Sequence, residues 1–396
     1  MAAPARKPPA AARPRAAHRA AKIPGVATAI VSDLHLGTVS EADLARRPRA
    51  LERLLAVAEE ADRLVVLGDL LELRERPAAA VLEDLAEVLA AIGDATAGKA
   101  VVLVPGNHDH QLVAPALERA RLAGAGPLTA AAEHPPRPGD LADRVAAAMP
   151  RTELTVAYPG VWLRDDVYAT HGHYLDAHLT VPRVECLVAA AVERFATRLG
   201  ADGPRCAADY EAIFAPMYAL SHAVAQNARA RPATRRNNLS RNVWTLATGS
   251  DGDGRAARLR SALVGRAAIP AAVATINAAG LGPFKPDLSA KELRRAGLAA
   301  IGEVVGRLEV GAAYVLFGHT HRAGPLPADD GEHDGWLLPG GTLLTNTGSW
   351  VHEDVFIDGD GAANPYWPGR VAWLDDSGPP RLATALDRDD VAALLS

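Results

Sequence analysis

Asp33-Leu34-His35 sets a carboxylate and an imidazole two residues apart. In an extended segment residues i and i+2 point the same way, so the two side chains could grip one ion. Gly68-Asp69 offers a second carboxylate, behind a glycine that permits a tight turn. With its two oxygens, that Asp could bridge two metals or simply cap the next helix. Gly106-Asn107-His108-Asp109 adds a neutral carbonyl ligand, an imidazole, and a carboxylate able to orient or charge-stabilise that imidazole. In His171-Gly172-His173 the first His ends a strand-like run and is preferred as ligand. His173 is left as an outer partner or a substrate contact. Gly318-His319-Thr320-His321 repeats the i, i+2 spacing with two imidazoles. Any one of these His or Asp residues is ordinarily a core or surface residue. Together they make a set of oxygen and nitrogen donors that suits two divalent cations, Mn²⁺ first and Fe or Zn²⁺ next, better than a thiolate site. The two cysteines, Cys186 and Cys206, show no metal-ligand spacing and no disulfide framework.

The elements that must position these motifs alternate between strand and helix. Residues 27–31, 63–67 and 100–104 are short apolar runs that read as buried strands. Between them, 49–61 and 78–92 keep helical spacing, the second through Val81, Leu82, Leu85, Val88, Leu89 and Ile92. Strands joined by helical crossovers pair in parallel, which predicts an α/β sheet. The first three motifs follow those strands directly, at the ends where such sheets bind ligands. Residues 123–150 read as a connection with a short helix. Strands are predicted again at 153–158, 161–163 and 167–170, at 313–317 before the fifth motif, and at 342–345, 355–357 and 371–374.

Residues 174–310 differ in texture. Helices are predicted at 183–199 and 209–229, then a polar stretch at 231–254. A last helix starts at Ser289, with Glu292 completing a capping box. Tyr210, Phe214, Met217 and Tyr218 fall at helical spacing and read as core. The domain reading is a disordered basic tail over 1–24, a core over 25–173 and 311–396, and a helical cap inserted over 174–310. The tail holds Arg6, Lys7, Arg13, Arg15, Arg19 and Lys22 with no acid and no apolar run behind it, so it is a poor secretory signal. The 396 residues carry a formal net charge of −5, which gives no strong signal for nucleic acid or an anionic membrane. No clean membrane span exists, residues 267–283 being short and interrupted. A cytoplasmic protein, with peripheral membrane contact at most, is the expectation.

The ordered set Asp33-x-His35, Gly68-Asp69, Gly106-Asn107-His108-Asp109, His171 and Gly318-His319-x-His321 resembles the calcineurin-like metallophosphoesterase superfamily. The resemblance covers about 27–173 and 311–375. Asn346-Thr347-Gly348-Ser349 also resembles a late segment of that family, with Thr347 where Pro is usual. The resemblance implies a four-layer αββα sandwich. It also implies one metal on Asp33, His35 and His321, a second on Asn107, His171 and His319, and Asp69 between them. A metal-activated hydroxide would attack phosphorus in line with the leaving oxygen, with His108 serving that oxygen and Asp109 supporting His108.

The motifs do not separate the phosphoesters this superfamily hydrolyses. An insertion between the fourth and fifth motifs is similar in placement to the cap of the UDP-2,3-diacylglucosamine pyrophosphatases, as are Asp33-Leu34-His35-Leu36 and Gly68-Asp69-Leu70-Leu71-Glu72. This chain has His108 where that branch commonly has Arg, and a longer insertion. A phosphodiester or pyrophosphate bond in a phosphorylated small or lipid-linked substrate is the leading expectation. A nuclease, a phosphomonoesterase or protein phosphatase, or a membrane-surface binding protein are the alternatives. Arg235, Arg236 and Arg241 lie in an arginine-rich stretch whose guanidinium forks suit phosphate oxygens, though a solvated basic loop is the simpler reading.

Overall fold

The computed structural model describes residues 27–181, 183–197, 202–227, 269–285, 287, 289–329, 335–354, 356–357 and 361–395. The basic tail and the arginine-rich stretch, with Arg235, Arg236 and Arg241, lie outside them. Two sheets form the core. The larger orders its seven strands β11-β10-β1-β2-β3-β5-β4 and the smaller orders four as β6-β7-β8-β9. In the larger, β1 (Thr28–Val31), β2 (Arg63–Leu67), β3 (Ala100–Val104) and β5 (Glu153–Tyr158) run parallel. At the flanks β10 (Arg370–Leu374) pairs antiparallel with β1, β11 (Arg381–Thr384) antiparallel with β10, and β4 (Ala132–Glu133) antiparallel with β5. In the smaller, β6 (Gly160–Arg164) pairs antiparallel with β7 (Val167–Thr170). Strands β8 (Tyr314–Phe317) and β9 (Leu343–Asn346) then continue in parallel.

The period-2 alternation of each strand assigns its two faces. Ile30, Val65, Leu67, Val104, Ala169 and Leu316 form one apolar cluster between the sheets. Their neighbours Ala29, Val31, Leu64, Val66, Val315 and Phe317 point the other way, into the helical layers. Helices α1 (Pro48–Glu60), α3 (Ala86–Ala95) and α5 (Leu141–Ala148) pack on the larger sheet through Leu54, Leu89, Ile92 and Val145. Helix α9 (Ala290–Arg307) covers the smaller sheet with Leu298, Ile301 and Val304. The result is a mixed α/β architecture of helix, sheet, sheet and helix layers.

Several elements differ from expectation. The apolar spacing of 78–92 continues without a gap, but the helix breaks at Leu85 (φ −100°, ψ 3°) into α2 (Ala78–Asp84) and α3. Of the strand expected at 355–357, residue 355 lies outside the described residues. Phe356 is in a turn, its N–H donating to Glu353 O at 3.0 Å, and neither it nor Ile357 is in a strand. Helices α4 (Ala114–Leu122) and α10 (Arg388–Leu395) and strands β4 and β11 were not expected. Between the fourth and fifth motifs the described chain is helical: α6 (Val184–Phe195), α7 (Ala207–Gln226), α8 (Ile269–Ala278) and α9. Ser289 caps α9 by accepting from Glu292 N, but the Glu292 carboxylate turns to Lys285 and Arg295 instead of completing the box. Tyr210 and Phe214 are buried and stack in line with Tyr174, as core residues. No helix among the described residues is long and apolar enough to cross a membrane.

Candidate metal centre

The parallel register brings all five motifs to one edge. Val31 pairs with Val66, Leu67 with Val104, Ala169 with Leu316 and Phe317 with Asn346, so these strands end together. Main-chain bonds then lock the loops to one another. Asp33 N donates to Gly68 O (3.1 Å), His35 N to Asp69 O (2.8 Å) and Gly318 N to His171 O (2.9 Å).

The side chains do not converge by the extended geometry that the i, i+2 spacing suggests. Asp33 (φ 52°), His35 (46°), Asp69 (51°), His319 (66°) and His321 (57°) all have left-handed backbones. Among the described non-glycine residues only Glu41 and Glu309 share that feature. Strain of this kind costs about 1–3 kcal/mol per residue and persists where the surroundings over-determine it. Here it turns the chain sharply after each strand and aims the side chain inward.

The brought-together residues make three overlapping groups able to hold a cation: Asp33, His35 and His321; His35, Asp69 and His108; and Asp69, His171 and His319. Asp69 and His35 each belong to two of them. Nε2 of His35 and of His321 stand 3.1 Å apart, and His321 Nε2 is 3.3 Å from Asp33 Oδ1. That Asp33 oxygen is buried and receives no hydrogen bond. Unpartnered lone pairs facing one another in a buried site fit a cation between them. On the other side, His171 Nε2 is 3.2 Å from Asp69 Oδ2 and 3.2 Å from Asn107 Oδ1.

Glycines make the approach possible. A Cβ on Gly68 (φ +90°) would lie 1.9 Å from His171 Nδ1, and one on Gly106 would lie 2.2 Å from Asp69 Oδ1.

Charge within the cluster is balanced. Burial opposes ionisation of Asp33 and Asp69, yet the surrounding imidazoles, His171 foremost, hold both below the usual carboxylate range. Burial likewise opposes a charge on His171, but Asp69 and Asp33 raise its pKa to about 9.

Two residues play parts that the sequence reading did not assign. Glu72 Oε2 faces His108 Nδ1, and Asp176 Oδ2 lies 2.9 Å from His319 Nε2. Glu72 sits in the quoted Gly68–Glu72 run, three residues past Asp69; only tertiary structure shows its partner. Asp109, expected to support His108, does not touch it. Its carboxylate accepts from Gly106 N (2.7 Å), Leu70 N (2.8 Å) and Leu71 N (3.3 Å), tying the second and third motif loops together. Burial and the Asp69 charge raise its pKa to about 6. His173, left open as an outer partner or a substrate contact, is buried, with Nε2 3.2 Å from the Tyr158 hydroxyl.

Residues 27–195, which hold the first four motifs, match the family model described as calcineurin-like phosphoesterase. The fifth motif lies beyond that span, and the structure brings it to the same site. That similarity spans less than half of the chain; together with the three Asp and His groups it supports a metal-dependent phosphoric ester hydrolase. No match was found among curated proteins. A crystal structure of a dimetal phosphatase from Danio rerio aligns with 92% of this chain and 100% of that chain at 12% identity, with a TM-score of 0.28.

Proposed function

We propose that this protein hydrolyses a phosphodiester or pyrophosphate bond at a dinuclear centre, in a small or lipid-linked phosphorylated substrate. The observation that carries the reading is the place of Asp69, shared between the group containing His35 and the group containing His171 and His319. Asp33, His35 and His321 would hold one cation. Asn107, His171 and His319 would hold the other, with Asp69 available to both. The all-oxygen-and-nitrogen donor set favours Mn²⁺, with Fe or Zn²⁺ as the next choices. Two cations bound there supply Lewis acidity to the phosphoryl group and acidify the attacking water.

His108 serves the leaving group. Its Nδ1 lies 2.5 Å from the Glu72 carboxylate, which can only accept, so Nδ1 carries a proton. Nε2 accepts from Arg74 Nη1 and would turn to the substrate once a phosphoryl oxygen draws that guanidinium away. A proton taken up on Nε2 from solvent would then pass to the leaving alkoxide, with Glu72 stabilising the ring while it is charged. Arg74 Nη1 stands 3.3 Å from that Nε2, which supplies a guanidinium for a phosphoryl oxygen or a second phosphate. The Glu185 carboxylate at the start of α6 holds the other end of the same guanidinium at 3.4 Å.

The test is turnover of a panel by the Mn²⁺-loaded protein: bis(4-nitrophenyl) phosphate, 4-nitrophenyl phosphate and a nucleoside diphosphate ester. Hydrolysis of the diester or the pyrophosphate, lost in Asp69→Asn with the fold retained, is the expected result. A protein active on the monoester alone would overturn the bond assignment. One inactive on all three would overturn the reading as a whole.

A further inference from the structure

We infer that Asp176 is a positioning residue for the second cation, holding His319 in the tautomer that turns Nδ1 toward the metal. The inference rests on the dinuclear reading above. Asp176 Oδ2 and His319 Nε2 are 2.9 Å apart and both side chains are buried. An ionised carboxylate only accepts hydrogen bonds, so the proton must sit on Nε2 and the Nδ1 lone pair is free.

Two of the other ligand histidines, His171 and His35, obey the same rule. Nδ1 of His171 is 3.0 Å from the Leu67 carbonyl, which leaves Nε2 for Asp69 and Asn107. Nδ1 of His35 faces Glu72 at 3.4 Å, which leaves Nε2 for Asp33 and Asp69. Each of these two imidazoles gives one nitrogen to an outer acceptor and the other to the cluster. For His319 the nitrogen left over is Nδ1. Asp176 belongs to none of the three compact ligand groups, so its position is behind the ligand rather than among the ligands.

Charge gives the residue a second use. The second cation has one carboxylate, Asp69, and that one is shared; Asn107 and the imidazoles are neutral when they ligate. An anion behind His319 makes the ring a stronger donor. The first site has the same device, since Glu72 stands behind His35. Asp176 comes from the short turn His173–Ala177, which leads out of the fourth motif toward α6. Its other oxygen lies 4.0 Å from Arg183 Nη1 and 3.9 Å from Cys186 Sγ, both at the start of that helix region.

The experiment uses the full chain, stripped of metal and titrated with Mn²⁺, and compares wild type with Asp176→Ala and Asp176→Asn. Stoichiometry comes from equilibrium dialysis, and spin coupling between the two Mn²⁺ ions from electron paramagnetic resonance. In Asp176→Ala the tighter site is expected to remain while the second weakens by about tenfold to a hundredfold. The coupled spectrum gives way to a mononuclear one at limiting metal. Asp176→Asn, whose amide oxygen still accepts from Nε2 but carries no charge, falls between. Two sites of wild-type affinity in Asp176→Ala would overturn the inference and leave the dinuclear reading standing. If Asp176→Ala does not fold by circular dichroism, Asp176→Asn decides: a loss of about threefold or more at the second site supports the inference, and unchanged affinity overturns it. Wild type that fails to bind two cations would overturn the dinuclear reading, and this inference with it.

Discussion

Glu72 and His108 form a carboxylate–imidazole pair, Oε2 to Nδ1 at 2.5 Å, and the same oxygen reaches His35 Nδ1 at 3.4 Å. One buried carboxylate therefore orients both a candidate ligand of the first cation and the residue proposed to serve the leaving group. Burial works against its charge, but His108 and His35 hold it well below the usual range for a glutamate. Its remaining oxygen accepts from Arg74 N at 2.9 Å, which fixes the loop that carries the Arg74 guanidinium.

The pair makes a prediction about leaving groups. A proton donor matters most when the departing oxygen is a poor leaving group. His108→Ala is expected to lower kcat about 10²–10⁴-fold with an alkyl phosphodiester and much less with a 4-nitrophenyl one. Glu72→Gln should show the same dependence with a smaller loss, and should also weaken the site built on His35. Rates on the two substrates, measured side by side, check it. An equal loss on both would exclude proton donation by His108.

Much of the site was legible in the sequence because its ligands follow strands whose apolar runs are unmistakable. The i, i+2 argument pointed to the right residues for the wrong geometric reason. Asp33, His35, His319 and His321 meet through left-handed turns, which no side-chain periodicity encodes. Glu72 and Asp176 escaped notice because an acid that serves a distant imidazole looks, in one dimension, like any other acid. Asp109 misled for the converse reason: adjacency to His108 in sequence suggested contact, while its oxygens are taken by three backbone N–H groups. Thr347, where the family usually has Pro, has an explanation in the fold. Its hydroxyl lies 2.7 Å from Ser32 Oγ, joining the segment after β9 to the one after β1, a bond that proline could not make.

The glycines before Asp69 and Asn107 should be intolerant of any side chain. In Gly68→Ala the new methyl meets the His171 ring and the backbone is held at φ +90°. Backbone strain alone costs about 1–3 kcal/mol. In Gly106→Ala the clash is with Asp69 Oδ1 and the His171 ring, at an ordinary φ. Both variants are expected to lose bound metal, with Gly68→Ala the less stable to heat. Metal content and melting temperature, measured together, test this. A fully loaded Gly106→Ala protein would contradict the close approach seen here.

Helix α7 is tied to the core through Glu211. Its Oε1 lies 2.7 Å from His110 Nε2, and its Oε2 accepts from the Tyr158 hydroxyl at 2.7 Å and from the Tyr174 hydroxyl at 3.2 Å. Glu211→Leu would strand His110 Nε2 and leave the two tyrosine hydroxyls only their longer contacts to His173 Nε2 and to each other, at a cost of about 1–3 kcal/mol for the group stranded. The expected result is a lower denaturation midpoint and earlier proteolysis within α6 and α7. Tyr158→Phe, which removes only one donor, should cost less. If the Glu211→Leu midpoint equalled that of wild type, the network would have no role in anchoring this helix.

His178 gives the fold a pH dependence on its acid side. Burial, and then the charge of Arg307, lower its pKa from 6.5 to about 4, and Nε2 sits 2.6 Å from the Tyr210 hydroxyl of α7. Glu303 on α9 acts weakly in the opposite sense. Above pH 6.5 the imidazole is neutral both folded and unfolded, so it contributes no slope. Between 6.5 and about 4 the unfolded chain takes up a proton that the folded chain refuses, and stability falls as the pH falls. Below about 4 both states are protonated and the contribution levels off. Replacing the residue by Gln removes this contribution while keeping a polar partner for Tyr210. His178→Gln is therefore expected to lose less stability than wild type between about pH 7 and pH 5, when both are unfolded in urea at each pH. Parallel losses in the two proteins would mean that His178 titrates alike in the folded and unfolded chains, and that the turn between the fourth motif and α6 is more open to water than its packing against α7 and α9 implies.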